Sequence, residues 1–262
     1  MRALGHSFHL ADSTALELIC QIVENRLEWP DWIRARRALT ALLDLQDPVA
    51  AGGWEILDKV GVRFERTLSE DEHEKRRQRR RTGWKAIVKA GSTAEMNRVE
   101  WARERGQIGP TQFRAAGAAR VREEIKTDWT DDMLGIECSQ DTIPSLKELV
   151  QSVAANHDSR IQSTPPASVR LDASIRMNAH FALMRLRPKN PYNPTKKAND
   201  ALDVDLLRYL AVPGIVCTKD GRLQRVLAQT RSWQRRWVLR PSELEEQLVQ
   251  QKLSLDWPEL RK

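Results

Sequence analysis

The sequence is short of the residue patterns that build cysteine or histidine chemistry. Its three cysteines, Cys20, Cys138 and Cys217, are widely spaced, with no CxxC pair or nearby histidine. That excludes a recognisable zinc motif and reads them as buried thiols. The five histidines, His6, His9, His73, His157 and His180, form no close metal pair and stand beside no nucleophile, so none is assigned a catalytic role. No apolar run approaches the roughly 20 residues of a membrane helix, which excludes a membrane partner and points to a soluble protein. A basic stretch followed by an apolar segment and a small-residue cleavage site is also missing from the N-terminus, so the expected location is the cytoplasm. No period repeats itself along the middle of the chain.

What is present is charge. With 43 Lys and Arg against 36 Asp and Glu, the formal net charge is +7 and the pI near 9.5, which favours a polyanionic partner. One basic cluster runs Lys75, Arg76, Arg77, Gln78, Arg79, Arg80, Arg81. It follows Glu70, Asp71, Glu72 and Glu74 directly, so a solvated helix carrying both signs explains it as well as a nucleic-acid contact does. A second cluster, Lys219, Arg222, Arg225, Arg231, Arg235, Arg236 and Arg240, is less diluted by acids. Trp233 and Trp237 interleave with it, a composition suited to base stacking, although Trp237 before Val238 and Leu239 reads more simply as core.

Phe8 to Ala11 is expected to form a strand, followed by a helix with Ala15, Leu16, Ile19, Ile22, Val23 and Leu27 on one face, ended by Pro30. A second helix is expected over 31–43. Asp47-Pro48 then marks the start of a short helix through Trp54 and Leu57, leading to a strand at 60–64. From about 65 to 187 the pattern is mainly helical and charged, with helices expected from Pro110, around Leu146 to Val153, and after Pro166. Beyond the proline-rich stretch 188–194, the chain reads as helix 199–210, strand 214–218, strand 236–239 and a closing helix from Pro241. Short apolar strands alternating with helices at both ends argue for one α/β core with a parallel sheet, formed by 1–64 and 188–262, and interrupted by a helical insertion at 65–187.

Two aspartates stand at the ends of such strands, where open parallel sheets place ligands and catalytic groups. They are Asp12, in Asp-Ser-Thr-Ala-Leu, and Asp220, in Thr-Lys-Asp after Gly214-Ile-Val-Cys. A third acidic patch, Asn199-Asp-Ala-Leu-Asp-Val-Asp-Leu-Leu, precedes the second of these strands and contains Asp200, Asp203 and Asp205. Each motif has a simple alternative: Asp12 as a helix cap, Asp220 as a turn residue before Gly221, and the patch as a solvated helix start.

Taken in order, the Asp-Ser-Thr-Ala-Leu opening at Asp12, the Asp-x-x-Leu-Leu helix at Asp203 and Thr-x-Asp at Thr218 to Asp220 resemble the PIN-domain superfamily of nucleases. The 15-residue step from Asp203 to Thr218, through helix, Val-Pro-Gly turn and strand, carries much of that likeness. The resemblance covers about 7–64 and 195–245. The separation of Asp12 from Asp203 exceeds that of compact members of the family, which is why the insertion is needed. It implies a central parallel sheet flanked by helices and an acidic centre of Asp12, Asp203 and Asp220 holding Mg²⁺ or Mn²⁺, with Asp200 and Asp205 as alternates. The family's middle acid is assigned to Glu55, 43 residues after Asp12 and following Asp47-Pro-Val-Ala-Ala-Gly-Gly-Trp; Glu95, Glu100 and Glu104 compete for that role.

By the same resemblance the activity is metal-dependent endoribonuclease cleavage of RNA phosphodiester bonds. Lys196, Lys197, Thr218, Arg222 and Arg225 are placed to meet phosphates. DNA is the alternative substrate, and a noncatalytic nucleic-acid-binding or scaffolding module on a degenerate PIN-like fold is the alternative function. Because the family includes toxins of toxin–antitoxin pairs and defence nucleases, the resemblance also implies an antitoxin or regulatory protein as a partner.

Overall fold

A computed structural model describes residues 6–24, 26–60, 68–107, 167–185, 193, 200–230 and 232–257. The expected strand at 60–64 beyond Val60, the expected helices from Pro110 and around 146–153, and Lys196, Lys197 and Arg231 lie outside them. The described residues are mostly helical with a small two-stranded parallel sheet, an α/β arrangement. No helix among them is long and apolar enough to cross a membrane. They fall into two compact units, one drawn from Met1–Glu55 and Thr67–Phe113, the other from Ile56–Arg66 and Arg114–Lys262.

In the first unit an extended stretch leads into α1 (Asp12–Val23). Leu10 pairs in parallel with Val49, its N–H donating to the Pro48 carbonyl and its own carbonyl accepting from Ala50, both at 2.9 Å. Pro48 was expected to start a helix. It sits instead in this extended segment, where its missing N–H costs nothing because only its carbonyl is used. The helix that follows, α3 (Gly53–Lys59), begins five residues later. Pro30 departs from expectation in a similar way: α1 ends by itself at Val23, and Pro30 lies in the first turn of α2 (Trp29–Leu42), a position that needs no intrahelical N–H.

The long α4 (Glu70–Lys89) starts at a complete capping box. Ser69 Oγ accepts from the Glu72 N–H, and a Glu72 carboxylate oxygen accepts from the Ser69 N–H. After Ala90, α5 (Thr93–Arg98) and α6 (Glu100–Gln107) follow. α1 packs on α5 and α6, and α4 on α6. Ala15, Ile19, Ile22, Trp32, Val49, Trp84, Ile87, Met96 and Trp101 form the core, with Trp32 and Trp84 edge to face at 6.3 Å. Thus α4, α5 and α6, from the segment read as an insertion, bury their apolar faces with α1 and α2.

The second unit contains α7 (Ala167–Arg170), α8 (Asp172–Arg185), α9 (Asp200–Arg208), β1 (Val216–Cys217), α10 (Gly221–Gln229), β2 (Val238–Leu239) and α11 (Pro241–Val249). The strands pair in parallel, Val216 with Val238 and Cys217 with Leu239, and α10 connects them. Residues 233–237, partly expected as strand, form a 3₁₀ turn before β2. α8 packs against α9 and α10, around Met177, Phe181, Leu207, Leu210, Leu223, Leu227 and Trp237. Trp237, 1% exposed, is core, and its indole N–H donates to the Ser254 carbonyl at 3.0 Å.

Polar side chains hold this unit together from inside. Gln234, 0% exposed, donates to the carbonyls of Arg170 and Leu210 and accepts from the Ala173 N–H, so one amide joins three segments. Asp172 accepts from Ser232 Oγ at 2.6 Å and from Arg176 Nε at 2.7 Å. These groups satisfy one another where water is excluded, as buried polar groups must.

Candidate functional site

The candidate acids divide between the two units. In the first, the chain leaves the Leu10–Val49 pairing and turns directly into α1. Ala11 is the N-cap, with no side-chain cap bond, so Asp12 is the first helical residue and not the cap. Its carboxylate lies near the positive end of the helix dipole. The neighbouring segment ends in Gly52, and a Cβ placed there would stand 3.4 Å from Asp12 Oδ2 and 3.9 Å from Glu55 Oε1. Two carboxylates 43 residues apart in sequence thus both approach Gly52, at distances where an added Cβ would make ordinary van der Waals contact.

Glu55 sits in the first turn of α3 and is only 7% exposed. Its Oε1 accepts from Arg80 Nη1 at 2.6 Å, and Arg80 is itself 5% exposed. The second oxygen, Oε2, is buried without a hydrogen bond among the described residues, with His73 Nδ1 3.9 Å away. The three competitors for the middle acid are engaged elsewhere. Glu95 accepts from the Gly91 N–H at the start of α5, Glu104 pairs with Arg79, and Glu100 is largely exposed near the same arginine.

In the second unit β1 runs out through Thr218, whose N–H donates to the Leu239 carbonyl at 2.9 Å and extends the parallel pairing by one residue. The Thr218 hydroxyl accepts from the Asp220 N–H at 3.0 Å. Asp220 is the N-cap of α10, its Oδ1 accepting from the N–H groups of Arg222 at 2.7 Å and Leu223 at 3.3 Å. The cap leaves the residue exposed to solvent. Asp203 lies half-buried in the first turn of α9, one turn after Asp200.

Asp200 is fully buried and takes both arms of the Arg222 guanidinium, at 2.6 and 2.8 Å. This bidentate pair ties the start of α9 to the start of α10, and so brings the turn that carries Asp203 to the turn capped by Asp220. It also commits Arg222, expected to meet phosphate, to a structural contact. Arg225, on the same helix, is exposed. Asp205 faces Arg208, which lies at 3.1 Å. Replacing Asp200 with Ala removes this two-armed pair at a position where the arginine is half-exposed. The expected cost is about 2–3 kcal/mol, at or below the low end for a broken buried pair, read as a lower denaturant midpoint in the tryptophan fluorescence of this unit. Cys20 is buried as expected, whereas Cys217, also read as a buried thiol, is exposed on β1, and desolvation by its surroundings raises its thiol above the usual pKa and disfavours the reactive thiolate.

Sequence reasoning did not single out Arg80 or His73. The signal was present: 73, 80, 84 and 87 recur at helical spacing, and 84 and 87 are apolar, so 80 belongs to the inward face of α4 despite its place in a run of cations.

Carboxylate oxygens are the hard donors that Mg²⁺ and Mn²⁺ prefer, and the buried, hydrogen-bond-free Glu55 Oε2 is an acceptor that a cation would satisfy. Asp12 and Glu55 are of the right chemical type for such an ion, while Glu55 Oε1 is already paired with Arg80. Among the described residues there is no group of three or more His, Cys, Asp or Glu side chains arranged to hold a metal. No family model, curated protein or solved structure matches the chain.

Proposed function

We propose that this chain is a metal-dependent, PIN-like endoribonuclease that hydrolyses RNA phosphodiester bonds, using Mg²⁺ or Mn²⁺ with Asp12, Asp203 and Asp220 as ligands. The observation that carries the reading is that Asp12 Oδ2 and Glu55 Oε1, far apart in sequence, both lie beside Gly52. Carboxylates on either side of one glycine offer the hard oxygen donors that Mg²⁺ and Mn²⁺ prefer. Support from the other unit is the same kind of junction, with Asp220 just beyond a parallel strand.

When bound, the ion polarises the phosphodiester and makes its attacking water more acidic. The protein's own contributions are distinct. Glu55, held by Arg80, orients the attacking water or adds a ligand. Asp220 keeps one oxygen occupied by the helix cap and has a second for a ligand. Arg225, Lys196 and Lys197 hold phosphates, and Thr218 supports the Asp220 turn. The family likeness extends the proposal to a toxin or defence role restrained by an antitoxin or other regulatory protein.

A noncatalytic nucleic-acid-binding module is the second reading. It is favoured by the arginine partners already neutralising Glu55 and Asp200. Incubating the full chain with labelled single-stranded RNA and DNA in Mn²⁺ or Mg²⁺, with binding measured in parallel, separates the two. RNA cut in preference to DNA is the expected result; binding without cutting under either metal would establish the module instead.

A further inference from the structure

Inside the second unit, α10, the 3₁₀ turn at 233–237, β2 and α11 border an open cavity of about 560 Å³, within the roughly 300–1,000 Å³ of small-ligand sites. Leu227, Ala228, Val238 and Leu239 give it an apolar floor. Arg235, Arg236 and Lys252 line it as well, and Arg240 stands beside it, its Nε donating to the lining Gln224 at 2.9 Å. Arg236 is held in place: its guanidinium lies 5.4 and 5.5 Å from the ring centroids of Trp233 and Trp237 and donates to the Asp256 carbonyl. The α11 side contributes Glu243 and Glu246. Glu243 accepts from the Arg240 N–H at 2.7 Å and Glu246 from the Gln250 side-chain amide at 3.0 Å, each through one of its two oxygens.

This lining selects among ligands. A simple anion would be repelled by the two glutamates, and a purely apolar group would leave both kinds of charge without a partner. A nucleotide answers all three surfaces: a phosphate for the cations, a flat base for the apolar floor, and amino groups on the base edge for ionised carboxylates, which can only accept. The cations around the cavity outnumber the acids, which favours an anionic strand over a zwitterionic peptide. We propose that this cavity holds one unpaired nucleotide of single-stranded RNA, its phosphate against Arg235, Arg236 and Lys252 and its base edge toward Glu243 and Glu246, and that it ranks cytosine above uracil. Cytosine presents an exocyclic amino donor where uracil presents a carbonyl acceptor, and a carboxylate repels the second. The proposal rests on the reading of RNA as the ligand of this chain and is independent of cleavage and of metal.

The test is fluorescence anisotropy of short labelled oligocytidylate and oligouridylate titrated with the full chain in EDTA. The parent is expected to bind the cytidylate about fivefold more tightly, the scale of one base-edge hydrogen bond. Glu246→Gln is expected to strengthen binding of both strands and to shrink that ratio to about twofold or less, because an amide can also donate to uracil. Arg235→Gln and Lys252→Gln are each expected to weaken binding and to lower the slope of log Kd against log salt by about 0.7. Lys85→Gln, an equal loss of charge on α4 in the first unit, is expected to do less. All four positions are exposed, so the variants fold. Cytidine monophosphate is expected to compete weakly; displacement as effective as that by an unlabelled strand would make the occupant a free nucleotide and overturn the proposal. Equal binding of the two strands by the parent, or cavity variants that behave like Lys85→Gln, also overturns it. The expected pattern in a chain that cuts no RNA in Mn²⁺ would keep the cavity and overturn the nuclease; RNA cut in Mn²⁺ with binding indifferent to the cavity variants would do the reverse. A chain that neither binds nor cuts either strand overturns both.

Discussion

Asp220→Asn lowers Mn²⁺-supported RNA cleavage by about 10²–10³-fold or more, the scale on which loss of one preorganised electrostatic group is felt in an active site, while the protein stays folded. The substitution is informative because Asp220 has two duties. Its Oδ1 caps α10 through the N–H groups of Arg222 and Leu223, and asparagine is an equally good N-cap, with an amide oxygen for the same bonds. The charge is lost and the cap is kept. Thermal unfolding should therefore match the parent within about 0.5 kcal/mol, the small difference reflecting the weaker interaction of a neutral group with the helix dipole. Full cleavage by a folded Asp220→Asn protein would remove Asp220 from the chemistry and return it to a capping residue.

Gly83→Ala is the substitution with the largest expected effect on stability. In an exposed helix this change would favour folding by about 1 kcal/mol, because alanine loses less backbone freedom. Here the sign reverses. A Cβ at residue 83 would stand 2.5 Å from both Cβ and Cγ of Trp101, whose side chain is buried between α4 and α6. An indole in a packed core cannot swing away as a surface lysine would, so the helices must separate or the tryptophan must leave its rotamer. The expected net destabilisation is about 2 kcal/mol, measured as a lower urea midpoint. Because Arg80 precedes Gly83 by three residues on the same helix, the shift should also loosen the hold on Glu55. An unchanged or higher midpoint would mean that α4 and α6 do not meet as closely as described.

The sequence made some of this arrangement legible because local chemistry and tertiary packing agree there. Val216 and Val238 sit in short apolar runs with turn residues nearby, and both became parallel strand. The 12–23 helix could be read from Ala15, Leu16, Ile19 and Ile22 alone, since its buried stripe is uninterrupted. Glu55 was named as the candidate middle acid from its motif context; in the structure it is buried against Arg80, unlike Glu95, Glu100 and Glu104.

The misses share a cause: residues whose ordinary local meaning is overridden by a distant partner. Pro48 looks like a helix start until Leu10 is seen donating to its carbonyl. Arg80 looks like one cation among many until Glu55, 25 residues away, draws it inside. Arg222 looks like a phosphate ligand until the buried Asp200 claims both its arms. Gln234 gave no sign at all, because an isolated glutamine carries no period or motif, and its three bonds go to segments up to 64 residues away.

The central claim is that these carboxylates do their work with a divalent ion, and it is tested most directly by following one labelled RNA strand through removal and return of metal. The pure protein is expected to cut in Mn²⁺, to stop in excess EDTA, and to resume when Mn²⁺ is restored. Cutting by the same pure protein that persists undiminished in EDTA would contradict the account.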